Sequence, residues 1–87
     1  MYKYIKVWKD NYAKPGMPDQ RALQDFVECE NNEVIRLLRG ELNSIKGGNY
    51  TTESLDVLVG PARVARHGSY EDWAGLMLQW LAAYLRQ

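Results

Sequence analysis

The segment from Ser69 to Arg86 constrains the fold of this 87-residue chain more than any other part of the sequence. Ser69 followed by Asp72 is a variant of the capping box, which starts a helix and places an acid in its first turn. On a helical wheel the apolar residues of this segment cover an arc of roughly 220°, whereas a surface helix needs a stripe of only ~100°. We therefore predict a long C-terminal helix that is either the centre of the fold or half of an interface.

Four large side chains are the first candidates for such an interaction surface. Trp73, Met77 and Trp80 lie within the apolar arc of the last helix, and Tyr2 lies in the N-terminal segment. Apolar residues at this spacing are more often core, but an arc too wide for the rest of the chain to cover marks an interface. The sequence thus predicts a homodimer or a complex with a protein partner, formed through the last helix or the N-terminal segment.

Length and composition fit one domain over residues 1–87. Basic and acidic residues number 11 each, so no net charge attracts the chain to nucleic acid or to a membrane. The single Cys29 excludes an internal disulfide and makes an oxidising compartment unnecessary. The first residues lack the apolar core of a signal peptide, and no stretch approaches the ~20 apolar residues of a membrane span. We expect a cytoplasmic protein that does not bind membranes.

The pattern of the chain predicts a mainly helical α+β domain, with an N-terminal strand followed by four or five helical segments. The segment from Tyr2 to Trp8 is rich in β-formers and carries lysine on both faces, as a protected edge strand does. Proline and glycine make residues 11–18 a loop. Asp19 is then expected to cap a helix that runs to residue 46 and breaks near Asn31.

Glycine and proline divide the chain between this helix and the last one into short segments. Gly47-Gly48 ends the long helical run, a short helix is expected over residues 51–59, and a further helical turn over 61–67. Apolar alternation leaves a second interpretation open, in which residues 55–59 and 63–65 are strands that could pair with the N-terminal one.

Basic residues are candidates for anion or nucleic-acid contacts. They are the lysines of the N-terminal segment and two pairs of arginines: Lys3, Lys6, Lys9, Arg36, Arg39, Arg63 and Arg66. Such residues can follow a phosphate backbone while aromatic side chains, here Trp8 and Tyr12, stack on bases. The acidic segment 15–33, with a net charge of −4, argues instead for ion pairs within the chain.

Patterns for catalysis or metal binding are missing from the sequence. His67 is the only histidine, and the sequence contains neither a Cys-x-x-Cys nor a His-Glu-x-x-His motif for binding a metal. Cys29 stands between Glu28 and Glu30, whose negative charges disfavour a thiolate nucleophile. We therefore predict no catalytic residue, metal or cofactor. Protein interaction is the first hypothesis, nucleic-acid association the second, and a subunit of an enzyme the third.

Overall fold

A computed structural model describes residues 2–86, which form six helices and no strand. The helices are α1 (Lys3–Asn11), α2 (Asp19–Cys29), α3 (Asn32–Lys46), α4 (Thr52–Leu58), α5 (Ala62–His67) and α6 (Tyr70–Leu85). The prediction of an α+β fold is therefore wrong. The radius of gyration is 11.8 Å, which matches the ~12 Å of an ordinary globular domain of this length. None of the helices in this part of the chain is long and apolar enough to cross a membrane.

The N-terminal segment is a helix, not the predicted strand, because its buried residues recur at helical spacing. Tyr2, Ile5 and Trp8 are buried, whereas Lys3 and Lys6 between them are exposed. Residues three or four apart share one face of a helix. The β-propensity of the aromatic and branched residues depends on context, and here the burial pattern determines the structure.

A carboxylate from α3 caps the first turn of α1. Glu41 accepts hydrogen bonds from the backbone N–H groups of Tyr4, at 3.0 Å, and Ile5, at 2.9 Å. These N–H groups have no acceptor within their own helix, and a negative charge beside them interacts favourably with the helix dipole. The start of α1 therefore depends on a residue that is remote in sequence.

The predicted break of the long helical segment is confirmed. α2 ends at Cys29, and Asn31 caps α3 by accepting a hydrogen bond from the Val34 N–H at 3.0 Å. The predicted cap at Asp19 is wrong. Pro18 holds the capping position without a side-chain hydrogen bond, and Asp19 is the first helical residue. Its carboxylate instead accepts hydrogen bonds from side chains of α5 and α6.

The C-terminal helix lies at the centre of the fold, which is one of the two roles that its wide apolar arc predicts. Ser69 caps it by accepting a hydrogen bond from the Asp72 N–H at 3.0 Å. α6 packs against α2, α3 and α5, and Trp73 and Met77 are fully buried. Gly68, with a φ of 99°, ends α5 immediately before this cap. Only glycine adopts that conformation without strain, so Gly68 allows the short turn between the two helices.

Residues 55–59 and 63–65 are helical or adjoin a helix, so their interpretation as strands is wrong. Leu55 and Val59 are buried, whereas Val57 between them is 90% exposed. A strand would place these three side chains on one face, but a helix turns Val57 away from the other two. The alternation of apolar residues in this segment therefore does not reflect a sheet.

Tyrosine hydroxyls tie α4 and the loop before it to α6. Tyr70, at 2% exposure, donates a hydrogen bond to Asp56 of α4. Burial, and then this hydrogen bond, raise the pKa of Tyr70 above its ordinary value. Tyr50, in the loop before α4, donates to Glu71 in the first turn of α6. These contacts fix α4, and with it one side of a groove that runs along α1.

Candidate binding groove

The predicted interaction residues lie mostly inside the folded chain. Trp73 and Met77 are fully buried, Tyr2 is 8% exposed, and Trp80 is half-buried against the core. The other helices cover most of the apolar arc of α6, so Trp73 and Met77 offer no surface to a partner in this structure. The homodimer stays a prediction, but the width of the arc no longer argues for it.

The structure brings together some of the basic candidates from distant parts of the sequence. Lys9, Arg63 and Arg66 line one cleft, between the end of α1 and α5. Lys3 and Lys6 line another, between α1 and α4. Five of the seven predicted anion contacts thus border two clefts that share α1 as one side.

The two clefts border neighbouring faces of α1 and together form what we call the basic groove. The α1–α4 cleft has a volume of about 690 Å³ and is lined by Tyr2, Lys3, Lys6, Asp10, Glu53, Ser54, Val57 and Leu58. The α1–α5 cleft has a volume of about 310 Å³ and is lined by Lys9, Ala13, Lys14, Pro15, Gly16, Met17, Asp19, Val59, Ala62, Arg63 and Arg66. They adjoin because Lys6 and Lys9 are less than one helical turn apart.

Arg36 and Arg39 lie on a different surface, formed by α3. Arg36 pairs with Glu33 at 2.9 Å, and both side chains are more than 60% exposed. With Leu85 of α6, the two arginines line a shallow cleft that shares no residue with the basic groove. Arg36 also lines a cleft with Tyr2, which borders the basic groove, whereas the cleft that Arg39 and Leu85 line contains no residue of the groove.

Lys14 and Met17 belong to the basic groove but were not predicted from the sequence. Both lie in the loop between α1 and α2 and line the α1–α5 cleft. Pro15 and Gly16 between them do indicate a turn, and Gly16 has a φ of 86°. A turn signal shows only that the chain reverses there. Nothing local shows that α5 lies opposite the loop.

Arg63 is held in the α1–α5 cleft by several contacts. Its Nε and Nη2 donate to the two carboxylate oxygens of Asp19 at 2.8 and 2.7 Å, and its Nη1 donates to the Val59 carbonyl. Trp73 Nε1 donates to the same carboxylate at 3.0 Å. The guanidinium carbon lies 5.8 Å from the Trp8 ring centroid and 5.9 Å from that of Trp73, within the range of cation–π attraction.

The aromatic residues of the N-terminal segment are not placed for stacking on bases. Trp8 is fully buried, and its Nε1 finds no acceptor among residues 2–86. Tyr12 packs edge-on against Phe26 and donates its hydroxyl to Glu30. This hydrogen bond, followed by burial, raises the pKa of Tyr12 to about 12. Trp8 instead packs against Trp73 of α6, with ring centroids 6.2 Å apart, and Tyr12 packs against α2.

Lys9, Lys14 and Arg66 in the α1–α5 cleft make no ion pair with any carboxylate of residues 2–86. With Arg63 they set four basic side chains against the single carboxylate of Asp19, so the lining carries a net charge of +3. The whole chain has zero net charge. Positive charge is therefore concentrated in this cleft, where a concave surface strengthens the attraction for an anion.

Exposed apolar side chains border the same groove. Val57, at 90% exposure, lines the α1–α4 cleft, and Met17, at 38%, lines the α1–α5 cleft. Leu85, at 43%, is the third large apolar side chain exposed in residues 2–86, and it lies outside the groove. The groove thus offers apolar surface beside unpaired cations, a combination that suits an amphipathic ligand.

Cys29 and His67 do not contribute to the basic groove. Cys29 is exposed at the end of α2, and His67 is the last residue of α5. Within the described range 2–86, no three histidine, cysteine or acidic side chains are grouped so that they could hold a metal ion. The chemistry that the groove offers is therefore ion pairing, hydrogen bonding and apolar contact.

Comparison with known proteins gives no relative for this chain. No protein-family model matches it, no curated protein is significantly similar in sequence, and no solved structure matches it significantly. The function must therefore be inferred from the basic groove.

Proposed function

We propose that this protein is an interaction module that binds an acidic segment of a partner protein in the basic groove. One observation carries the proposal: unpaired cations (Lys9, Lys14 and Arg66) and exposed apolar side chains (Val57 and Met17) border the same groove. Carboxylates of the partner pair with the cations, and apolar side chains of the partner cover the exposed apolar surface. The ligand is therefore acidic and contains apolar residues.

The length of the groove sets the size of this segment. α1 has nine residues, and at ~1.5 Å per residue it is about 13 Å long. An extended chain advances ~3.3 Å per residue, so about four residues of the partner lie along α1. A peptide of about eight residues covers the groove with flanking residues to spare.

Nucleic acid is the second candidate, because the same cations can pair with phosphates. Asp10 and Glu53 line the α1–α4 cleft and repel a backbone that carries a phosphate at every nucleotide, whereas a peptide can place its apolar residues in that cleft. Trp8 has no exposed surface on which a base can stack. Val57 and Met17 give nothing to phosphate binding. An acidic protein segment with apolar residues therefore uses more of the groove than a phosphate backbone does.

The partner can also be a second copy of this chain. Residues 25–33 carry four carboxylates, but Asp25 and Glu33 pair with arginines of their own chain and Glu30 accepts the Tyr12 hydroxyl, so this segment is a weaker ligand than a free acidic peptide. Sedimentation equilibrium distinguishes this homodimer from a monomer that awaits another protein. We place the interaction in the cytoplasm, since the lone exposed Cys29 needs no oxidising compartment.

Calorimetric titration with two peptides of about eight residues tests the proposal. One alternates glutamate with leucine, and the other alternates glutamate with serine. We expect the glutamate–leucine peptide to bind more tightly, since it alone supplies both kinds of contact. Val57→Ser should weaken its binding, whereas Leu85→Ser removes an exposed apolar side chain outside the groove and should change nothing.

Charge reversal tests the other half of the proposal. Lys14→Glu should weaken binding of both peptides, whereas Arg39→Glu reverses a charge outside the groove and should not. Duplex DNA serves as a third probe. If it binds more tightly than either peptide, with an affinity that falls steeply as salt rises, the proposal is wrong and the nucleic-acid alternative is supported.

A further inference from the structure

The α1–α5 cleft supports a more specific inference, which rests on the proposed function. We infer that the partner segment carries a phosphorylated residue, and that its phosphate group binds between Lys9, Lys14 and Arg66 in this cleft. The apolar residues of the same segment then contact Val57 in the adjoining α1–α4 cleft. The partner chemistry is thus a phosphomonoester within an acidic, partly apolar peptide.

The charge of the cleft matches a phosphate better than a carboxylate. Four basic side chains and one carboxylate line it, so a single glutamate from a partner would leave an excess of positive charge. A phosphorylated residue brings a charge of about −1.5 to −2 and three strong acceptor oxygens. Unpaired like charges held close together repel one another, and the anion of higher charge relieves more of that repulsion.

The residues that bind the phosphate can be separated from the one that supports the cleft. Arg63 already uses three of its five N–H donors on Asp19 and the Val59 carbonyl, and these contacts fix the orientation of its guanidinium. Arg66 follows it by three residues on α5, is exposed and makes no ion pair within residues 2–86. Its guanidinium suits two-point binding of phosphate, with Lys14 as a second, mobile charge.

The charged residues that line the two clefts favour the α1–α5 cleft for the phosphate. The α1–α5 cleft, at about 310 Å³, is the smaller, and its one carboxylate, Asp19, is already engaged with Arg63. The α1–α4 cleft, at about 690 Å³, is larger and contains Asp10 and Glu53, which repel a phosphate. A single phosphate therefore suits the α1–α5 cleft, and apolar residues suit the α1–α4 cleft.

Three peptides that differ at one position test the inference by calorimetric titration. Each has the glutamate–leucine pattern, with phosphoserine, glutamate or serine at the central position. We expect the phosphoserine peptide to bind at least about tenfold more tightly than the glutamate peptide, since it adds charge-assisted hydrogen bonds. Arg66→Ala and Lys14→Ala should remove this preference. Arg39→Ala deletes an exposed, unpaired arginine of α3 and should preserve it.

Each contrary outcome has a distinct meaning. Equal affinity for the phosphoserine and glutamate peptides would overturn the phosphate inference and leave the proposed function standing. A preference for phosphoserine that survives both Arg66→Ala and Lys14→Ala would also overturn it, because the phosphate would then bind elsewhere. Failure of all three peptides to bind would overturn both proposals. Arg66 and Lys14 are exposed, so circular dichroism should show that both variants stay folded.

Discussion

Arg63 and Asp19 form a two-point ion pair across 44 residues of sequence, with Nη2 and Oδ1 2.7 Å apart. The two side chains are only 17% and 12% exposed. The pair links the start of α2 to α5, and Trp73 of α6 donates to the same carboxylate. Because both charges are largely removed from water, each is stabilised mainly by the opposite charge of its partner. This contact therefore holds α5 in the position that forms the α1–α5 cleft.

Removal of Asp19 tests the importance of this ion pair. Asp19→Ala leaves the Arg63 charge partly buried without a partner and the Trp73 N–H without an acceptor, so it should lower the free energy of unfolding by about 2–4 kcal/mol. Arg36→Ala breaks the exposed pair with Glu33 and should cost less than about 1 kcal/mol. Urea unfolding measures both variants. If both variants lose the same free energy of unfolding, burial does not strengthen the ion pair between Asp19 and Arg63.

The two tryptophans of α6 should differ in their contribution to stability. Trp73 is fully buried, whereas Trp80 is half-buried at the edge of the core. Trp73→Ala should cost about 3–5 kcal/mol, since it removes a large side chain and leaves a cavity, whereas surface relaxation limits the cost of Trp80→Ala to about 1–2 kcal/mol. Thermal unfolding of both variants provides the comparison. A larger loss from Trp80→Ala would contradict the packing of α6 described above.

The cap of α6 should contribute a measurable part of the stability. Ser69→Ala removes the acceptor of the Asp72 N–H and should cost about 1 kcal/mol. Ser44→Ala is the matched control, because Ser44 lies within α3 and bonds only to a carbonyl of its own helix. Alanine favours a helix at such a position, so this variant should be neutral or slightly stabilised. Urea unfolding measures the free energy of unfolding of both variants. If the two values are equal, Ser69 does not cap α6 and the helix starts at another residue.

Tyrosine hydroxyls should make the fold sensitive to high pH. The hydrogen bond to Glu71, followed by burial, raises the pKa of Tyr50 to about 12, and the contact with Glu30 raises that of Tyr12 to about 12 as well. An unfolded tyrosine titrates near ~10. Because the folded pKa is the higher one, the stabilisation is complete below about pH 10 and is lost as the pH rises towards about 12.

Replacement of both hydroxyls isolates this effect. The double variant Tyr12→Phe, Tyr50→Phe should lose less stability than the natural chain between about pH 10 and about pH 12, although it starts from a lower value. Urea unfolding at a series of pH values gives the two slopes. Identical slopes would mean that these hydroxyls ionise equally easily in the folded and unfolded chain.

Structural features with local determinants could be predicted from the sequence. The cap at Ser69 and the break near Asn31 depend on side chains that bond to N–H groups three residues away. The helix at residues 3–11 could not be predicted, because its aromatic and branched residues favour a strand. The burial of Tyr2, Ile5 and Trp8 at helical spacing reveals the helix only when the core is known.

The candidate groove could be predicted only in part, for the same reason. The sequence identifies Lys9, Arg63 and Arg66 as basic candidates, but they converge only because α5 packs near the end of α1. The ion pair between Arg63 and Asp19, which are 44 residues apart in sequence, holds α5 in that position. The sequence predicts Trp73 as an interface residue because a helical wheel shows how wide the apolar arc is. The wheel does not show whether other helices of the same chain cover that arc. The other helices of the chain cover it.

Amide chemical-shift mapping with the glutamate–leucine peptide tests whether the basic groove is the binding site. We expect shift changes concentrated on both clefts, at Lys9, Met17, Val57 and Arg66, with none at Arg39 or Leu85 in the separate cleft beside α3. Shift changes concentrated at Arg39 and Leu85, or none anywhere at saturating peptide, would contradict this expectation.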